Sequence, residues 1–264
     1  METTGESIIQ VKKERSYISC LIKGCGYGFK HLGLLLRYMW PSLLLASLLP
    51  IPFICFYGGQ MDAILRKWTE LGYVPNTTLK AMKGEVTRCS IRNVFNLLLT
   101  LLFALLLAVI MCLPIFVGLS FGWCLLIGLI VSAILVPFLS AITLQISFSD
   151  FSLGRCFPEG LWMGYKNFGR LFAFELLEFL IVLPIYIIAN IPNAIVSGVC
   201  LQAYNGYIMG DTIDLPVIFP IVAYLNFVVV MGIILVTYLV INFSRCLMWG
   251  SLVDEVPTEA EANS

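Results

Sequence analysis

The sequence predicts an all-α membrane protein, a polytopic bundle of transmembrane helices made from two related units. Three observations predict it. The composition is too apolar for a chain dissolved in water. Five apolar stretches are long enough to cross a bilayer. One short pattern occurs twice, each time at the start of such a stretch.

Composition sets the class. Of 264 residues, 59% are hydrophobic and 12% are charged, and the mean hydropathy is +0.93. An ordinary soluble domain carries about 25% charged residues, so this apolar surplus needs lipid as its solvent. Sixteen basic and sixteen acidic residues cancel. Neither that balance nor any block of like charge points to nucleic acid. The first 37 residues are polar and basic and lack the short apolar core and cleavage site of a signal peptide. Insertion is therefore expected to depend on the membrane helices themselves. Nine cysteines are scattered singly without a C-x-x-C pair, which predicts small apolar packing residues rather than a disulfide frame or zinc site.

A spanning helix needs roughly 20 apolar residues. Stretches near 38–57, 94–117, 121–146, 171–189 and 215–241 qualify. Only Gly118, Leu119 and Ser120 join the second to the third, which demands a tight antiparallel hairpin. Gly118 and Gly122 would allow close backbone approach there. Prolines recur in or beside the runs: Pro50, Pro52, Pro114, Pro137, Pro184 and Pro192. From 171 to 203 the chain stays apolar, interrupted chiefly by Asn190, Pro192 and Asn193. That stretch reads either as one span with a membrane-surface piece or as two short spans. The expectation is five spans, with six as the alternative.

The repeated pattern is Gly24, Gly28, Phe29, Lys30, Leu32, Gly33, then Gly160, Gly164, Tyr165, Lys166, Phe168, Gly169. Each copy leads toward a Leu-Pro step, Leu49-Pro50 and Leu183-Pro184. In the second copy Leu161, Tyr165, Phe168 and Phe172 form one helical stripe, matched by Cys25, Phe29, Leu32 and Leu36 in the first. Lys30, His31, Lys166, Asn167 and Arg170 lie off that stripe. This predicts an amphipathic surface helix before each membrane helix, with Lys30, Arg37, Lys166 and Arg170 among lipid headgroups. The units divide as 1–19, a polar N-terminal segment, 20–150 and 151–250, the two repeats, and 251–264, a disordered acidic tail.

Charge asymmetry should orient the chain, and here two clusters disagree. Basic residues crowd the N-terminus (Lys12, Lys13, Arg15, Lys23, Lys30, Arg37) and the first long loop (Arg66, Lys67, Lys80, Lys83, Arg88, Arg92). A third set is Arg155, Lys166 and Arg170, whereas 201–214 has none and carries Asp211 and Asp214. The C-terminus is expected to be cytoplasmic. Both early clusters share that side only if the segment around Pro41, Pro50 and Pro52 turns back; otherwise the N-terminus is outside.

Glu175 and Glu178 stand at i and i+3 inside the fourth expected span. Ionisable groups at membrane depth are expensive and are functional candidates, which suits a proton or cation relay. They also lie only about 7 to 12 Å beyond Arg170 along a helix, within reach of basic partners or the interface. Their counterparts Met39 and Ser42 are not acidic. The remaining polar residues of the spans, Asn96, Thr100, Ser132, Ser140, Thr143, Gln145, Asn226 and Thr237, are accounted for by interhelical hydrogen bonds. A lone histidine, His31, supports no His-based metal site, and no P-loop, G-x-S-x-G, H-E-x-x-H or dinucleotide fingerprint occurs. Asn76-Thr77-Thr78 matches a glycosylation sequon.

The stretch EGLWMGYKNFGRLFAFELLEFLIVL, residues 159–183, resembles a loose group of bacterial integral membrane proteins of unknown function. These are similar to the membrane domain that accompanies glycerophosphodiester phosphodiesterases. The resemblance implies a multi-pass protein of the bacterial inner membrane and carries over no catalytic residue. The expectation is a non-enzymatic, cofactor-free scaffold that engages lipid, with a protein partner or a second copy of itself. The alternative is a small transporter using Glu175 and Glu178.

Overall fold

A computed structural model of the chain describes residues 11, 15–74, 82–116, 120–210 and 216–253. Lys12, Lys13, Lys80, the 76–78 sequon, Gly118, Asp211, Asp214 and the acidic tail lie outside them. Among the described residues all regular structure is helical: α1 (Tyr17–Lys30), α2 (Leu32–Leu48), α3 (Pro50–Leu71), α4 (Lys83–Phe116), α5 (Phe121–Phe148), α6 (Leu153–Lys166), α7 (Phe168–Ile208) and α8 (Phe219–Val253). Four of these, α4, α5, α7 and α8, are long and apolar enough to cross a membrane.

The first expected span, 38–57, is divided. Leu49 is extended, with φ −132° and ψ 75°, and Pro50 opens α3. A residue before proline is pushed out of the helical region, and proline supplies no N–H but suits the first helical position. The chain reverses at this point. Ser42 Oγ donates to Gln60 Oε1 at 2.5 Å, although 18 residues of unbroken helix would hold them about 27 Å apart. Pairing continues along α8. Tyr224 Oη donates to the Leu48 carbonyl at the tip (2.8 Å), and Tyr57 Oη to the Leu235 carbonyl (2.9 Å). Trp68, near the open end, meets the Phe243 ring edge-on at 4.9 Å. From Tyr224 to Phe243 is about 29 Å of helix rise, close to the thickness of the hydrocarbon layer. The α2–α3 pair is thus a deep helical hairpin that enters and leaves at one end.

The 171–203 stretch is not broken. It lies within a single 41-residue helix, α7, with Pro184 and Pro192 inside it. Asn190 Nδ2 donates to the Tyr186 carbonyl at 2.9 Å, and Asn193 Nδ2 to Asn190 Oδ1 at 3.2 Å. Side-chain bonds of this kind repair the ladder around proline in lipid.

The two pattern copies fold into helices of equal length. α1 and α6 are 14 residues each and end at single-residue breaks, His31 and Asn167. Their glycines, Gly24 and Gly28, Gly160 and Gly164, lie on the buried faces. A Cβ on Gly24 would sit 2.3 Å from Ser244 Cα, and one on Gly160 2.6 Å from Ile142 Cα. The glycines therefore set backbone contact of α1 on α8 and of α6 on α5. The aromatic stripe is left outside, with Phe29 64% and Tyr165 70% exposed.

This folding removes the conflict between the charge clusters. Arg66 at the end of α3 ion-pairs with Asp150 just past α5 (3.1 Å). Arg170 at the start of α7 donates to Ser251 near the end of α8 (3.2 Å) and to the Arg15 carbonyl (2.8 Å). Arg15, the end of α3, the α5–α6–α7 corner and the end of α8 thus share one end of the bundle. Residues 38–65, 93–154 and 171–244 contain no Lys or Arg, so the opposite end is free of basic residues among those described.

Burial divides the cysteines. Cys20, Cys89, Cys124, Cys156 and Cys246 are buried, while Cys112 and Cys200 are exposed. Burial also raises the Cys20 thiol above its ordinary value, outweighing the nearby Arg15 charge, and the thiolate is the reactive form. Membrane-permeant N-ethylmaleimide should modify Cys20, Cys156 and Cys246 only after unfolding. Peptide mass mapping after a short pulse checks this; early modification of Cys156 or Cys246 would contradict the packing.

Candidate functional site

The polar residues of the bundle repeat at helical spacing. On α4 they are Asn93, Asn96 and Thr100; on α5, Ser140, Thr143 and Ser147; on α8, Tyr238, Asn242 and Arg245. Intervals of three and four place each set on one face. These faces, with Glu175 of α7, the Tyr57–Gly58 stretch of α3 and apolar side chains such as Leu97, Leu139, Leu144 and Phe148, surround one cavity of about 470 Å³. It is partly open to its surroundings. Its volume lies in the range of small-molecule sites.

Two acids that share a helix face divide their tasks. Glu178, almost fully buried, holds Arg245 through two prongs: Nε lies 3.1 and 3.0 Å from the carboxylate oxygens, and Nη2 2.6 Å from Oε1. Fork-on-fork pairing of this type is the strong form of the ion pair. Glu175 accepts a hydrogen bond from Ser140 Oγ and lines the cavity. The basic partner comes from α8 rather than from a surface helix. Arg245 did not stand out in the sequence; its one signal was a cation within the final apolar run, seven residues beyond Tyr238.

Asp62 is a third acid at depth, beyond the two the sequence reading singled out, and is 1% exposed in α3. Asn93 Nδ2 donates to its Oδ2 at 2.7 Å and to the Cys89 carbonyl at 3.2 Å. Nearer the charged end, two arginines cap α5. Arg66 Nε donates to the Ser147 carbonyl (2.8 Å) and Nη2 to that of Ser149 (2.6 Å). Arg92 Nη1 reaches the Ile146 and Ser149 carbonyls (2.8 and 2.5 Å). Guanidinium groups at a helix C-terminus meet both its orphan carbonyls and the negative end of its dipole. They fix the end of α5, and with it the Ser140–Ser147 face.

Asn96 Oδ1 has no hydrogen-bond partner among the described residues and is closed off from the cavity, although Asn96 Nδ2 donates to Ser147 Oγ at 3.0 Å. Buried polar atoms without partners are rare and ask for an explanation.

Of the surface residues singled out in the sequence, Lys30, Arg37 and Lys166 are exposed on α1, α2 and α6. Arg170 is half-buried in its ties to Arg15 and Ser251. None of the four lines the cavity. No three His, Cys, Asp or Glu side chains gather as a metal site among the described residues. Asn96, Thr100, Ser140 and Thr143, read as separate interhelical bonds, converge on one wall system. Comparison with protein-family models, with curated proteins and with solved structures finds no match.

Proposed function

We propose that this multi-pass membrane protein binds a small polar or cationic ligand within the bundle and passes it between the cavity and its surroundings, without catalysing a reaction on it. One observation carries the reading: Glu175, an acid at membrane depth, lines a cavity walled by polar faces of three helices. Arg245 also lines the cavity, but its hydrogen bonds go to Glu178, so Glu175 is the acid there that a ligand can engage. Ionisable groups facing an internal cavity mark ligand and ion paths in membrane proteins. The basic end is assigned to the cytoplasm, by the rule that Lys and Arg concentrate there. The start of α1 and the end of α8 then both lie inside. The resemblance in residues 159–183 supports a bacterial inner membrane.

A second reading, a scaffold that holds lipid headgroups or a partner, is favoured by one observation: α6 carries exposed Trp162 and Tyr165 beside exposed Lys166, the mixture that suits an interfacial helix.

The deciding test is cysteine accessibility in an otherwise Cys-free protein. Glu175→Cys and Asn96→Cys should react with a charged, water-soluble methanethiosulfonate, while Leu176→Cys, on the lipid-facing side, should not. If neither cavity position reacts, the ligand-binding reading fails and the scaffold reading replaces it.

A further inference from the structure

A second cavity lies beside the first. It has a volume of about 160 Å³ and sits between α7 and α8, lined by Val182, Ile185 and Ala189 on one side and Ile233, Thr237 and Ile241 on the other. The two cavities share Ile234 and Tyr238 in their linings. The Glu178–Arg245 pair stands at the same junction, since Glu178 lines the second cavity and Arg245 the first. The cavity that carries the polar faces and an apolar one thus adjoin at two shared side chains.

We infer that the ligand is a single-chain amphiphile drawn from the bilayer, its head in the polar cavity and its chain in the apolar one. This rests on the ligand-binding reading above and specifies its substrate class. A purely polar solute would leave the apolar cavity unused, and a purely apolar one would leave the polar faces unpaired at membrane depth. The head is defined by what lines the first cavity. Asn93, Ser140 and Thr143 offer hydrogen bonds in its wall, and Glu175 favours positive charge. A protonated amine carrying a neighbouring hydroxyl meets both. Ile234 and Tyr238 would then flank the point where head becomes chain.

The probe is a photoactivatable sphingosine with a diazirine near the chain end, applied to the full chain in phosphatidylcholine nanodiscs. After irradiation, label should fall on residues 182–189 and 233–241, where the second cavity is walled. Unlabelled sphingosine should compete, and ethanolamine at equal concentration should not. Ala189→Phe, which fills the second cavity, should abolish this labelling; Thr237→Phe fills it from α8 and covers failure of the first variant to fold. Glu175→Gln should weaken labelling about tenfold, the worth of one charge-assisted hydrogen bond. Label spread over the outer face of α4 and unchanged by either Phe variant overturns the inference. So does equal competition by dodecyl sulfate, which removes the cationic head. If ethanolamine alone protects Glu175→Cys-sensitive positions such as Asn96→Cys while sphingosine labels nothing, the amphiphile is overturned and the ligand-binding reading stands. If neither protects nor labels, both fall.

Discussion

Arg245→Ala is expected to cost the protein about 3–5 kcal/mol, the usual effect of leaving one member of a buried ion pair uncompensated. Glu178 is almost fully buried and its two oxygens take three short contacts from the Arg245 guanidinium. Removing the cation leaves a carboxylate facing Tyr186, Ile185 and Ile241 across the second cavity. Glu178→Gln should cost less, because the amide is neutral, although it strands the guanidinium at depth. Replacing both residues by methionine should recover most of the loss, since well-packed apolar substitutes for a buried pair are often neutral. Thermal unfolding of the four proteins in one detergent checks the order of the three losses. An Arg245→Ala protein that melts with the parent would show that water reaches the pair freely, and the assignment of the two cavities would need revision.

Gly24→Ala and Gly160→Ala should each destabilise by about 1–3 kcal/mol, the range for forcing a methyl into a filled contact. The new Cβ would meet backbone, not a side chain that can swing away: Ser244 Cα at 2.3 Å and Ile142 Cα at 2.6 Å. The same pattern supplies its own control. Gly33 and Gly169 have nothing within 4 Å of an added Cβ, and both lie inside helices. Gly33→Ala and Gly169→Ala should therefore be neutral or gain up to about 1 kcal/mol from better helix propensity. Melting temperatures of the four single variants decide it. Equal effects at all four positions would mean that the glycines serve helix dynamics rather than contact.

Much of the architecture is legible in the chain itself. Apolar runs of sufficient length dictate helices in lipid, because no other open structure satisfies its backbone there, and α4, α5, α7 and α8 follow. The stop at Lys30 and restart at Leu32, repeated at Lys166 and Phe168, follows the doubled pattern. The prolines were less informative one by one. Pro50, preceded by extended Leu49, turns the chain back, whereas Pro184 and Pro192 remain within α7. Local sequence is similar in kind at these sites; what differs is whether a neighbouring helix, here α8 beside the α2–α3 hairpin, rewards the reversal with contacts.

The site was legible only in fragments. Glu175 and Glu178 marked themselves as charges in an apolar run, yet nothing in their spacing assigns one to Arg245 and the other to a cavity. Asn93, Asn96 and Thr100 repeat at helical intervals, as do Ser140, Thr143 and Ser147, and each set reads as one face without saying which face it meets. The sequence by itself determined that this chain is helical, membrane-embedded, and basic in the segments that gather at one end, because transfer energies and backbone hydrogen bonding act residue by residue. Only the tertiary structure decided that those segments share one end, that the acids have separate partners, and that two cavities adjoin, because such relations depend on contacts between residues scores of positions apart.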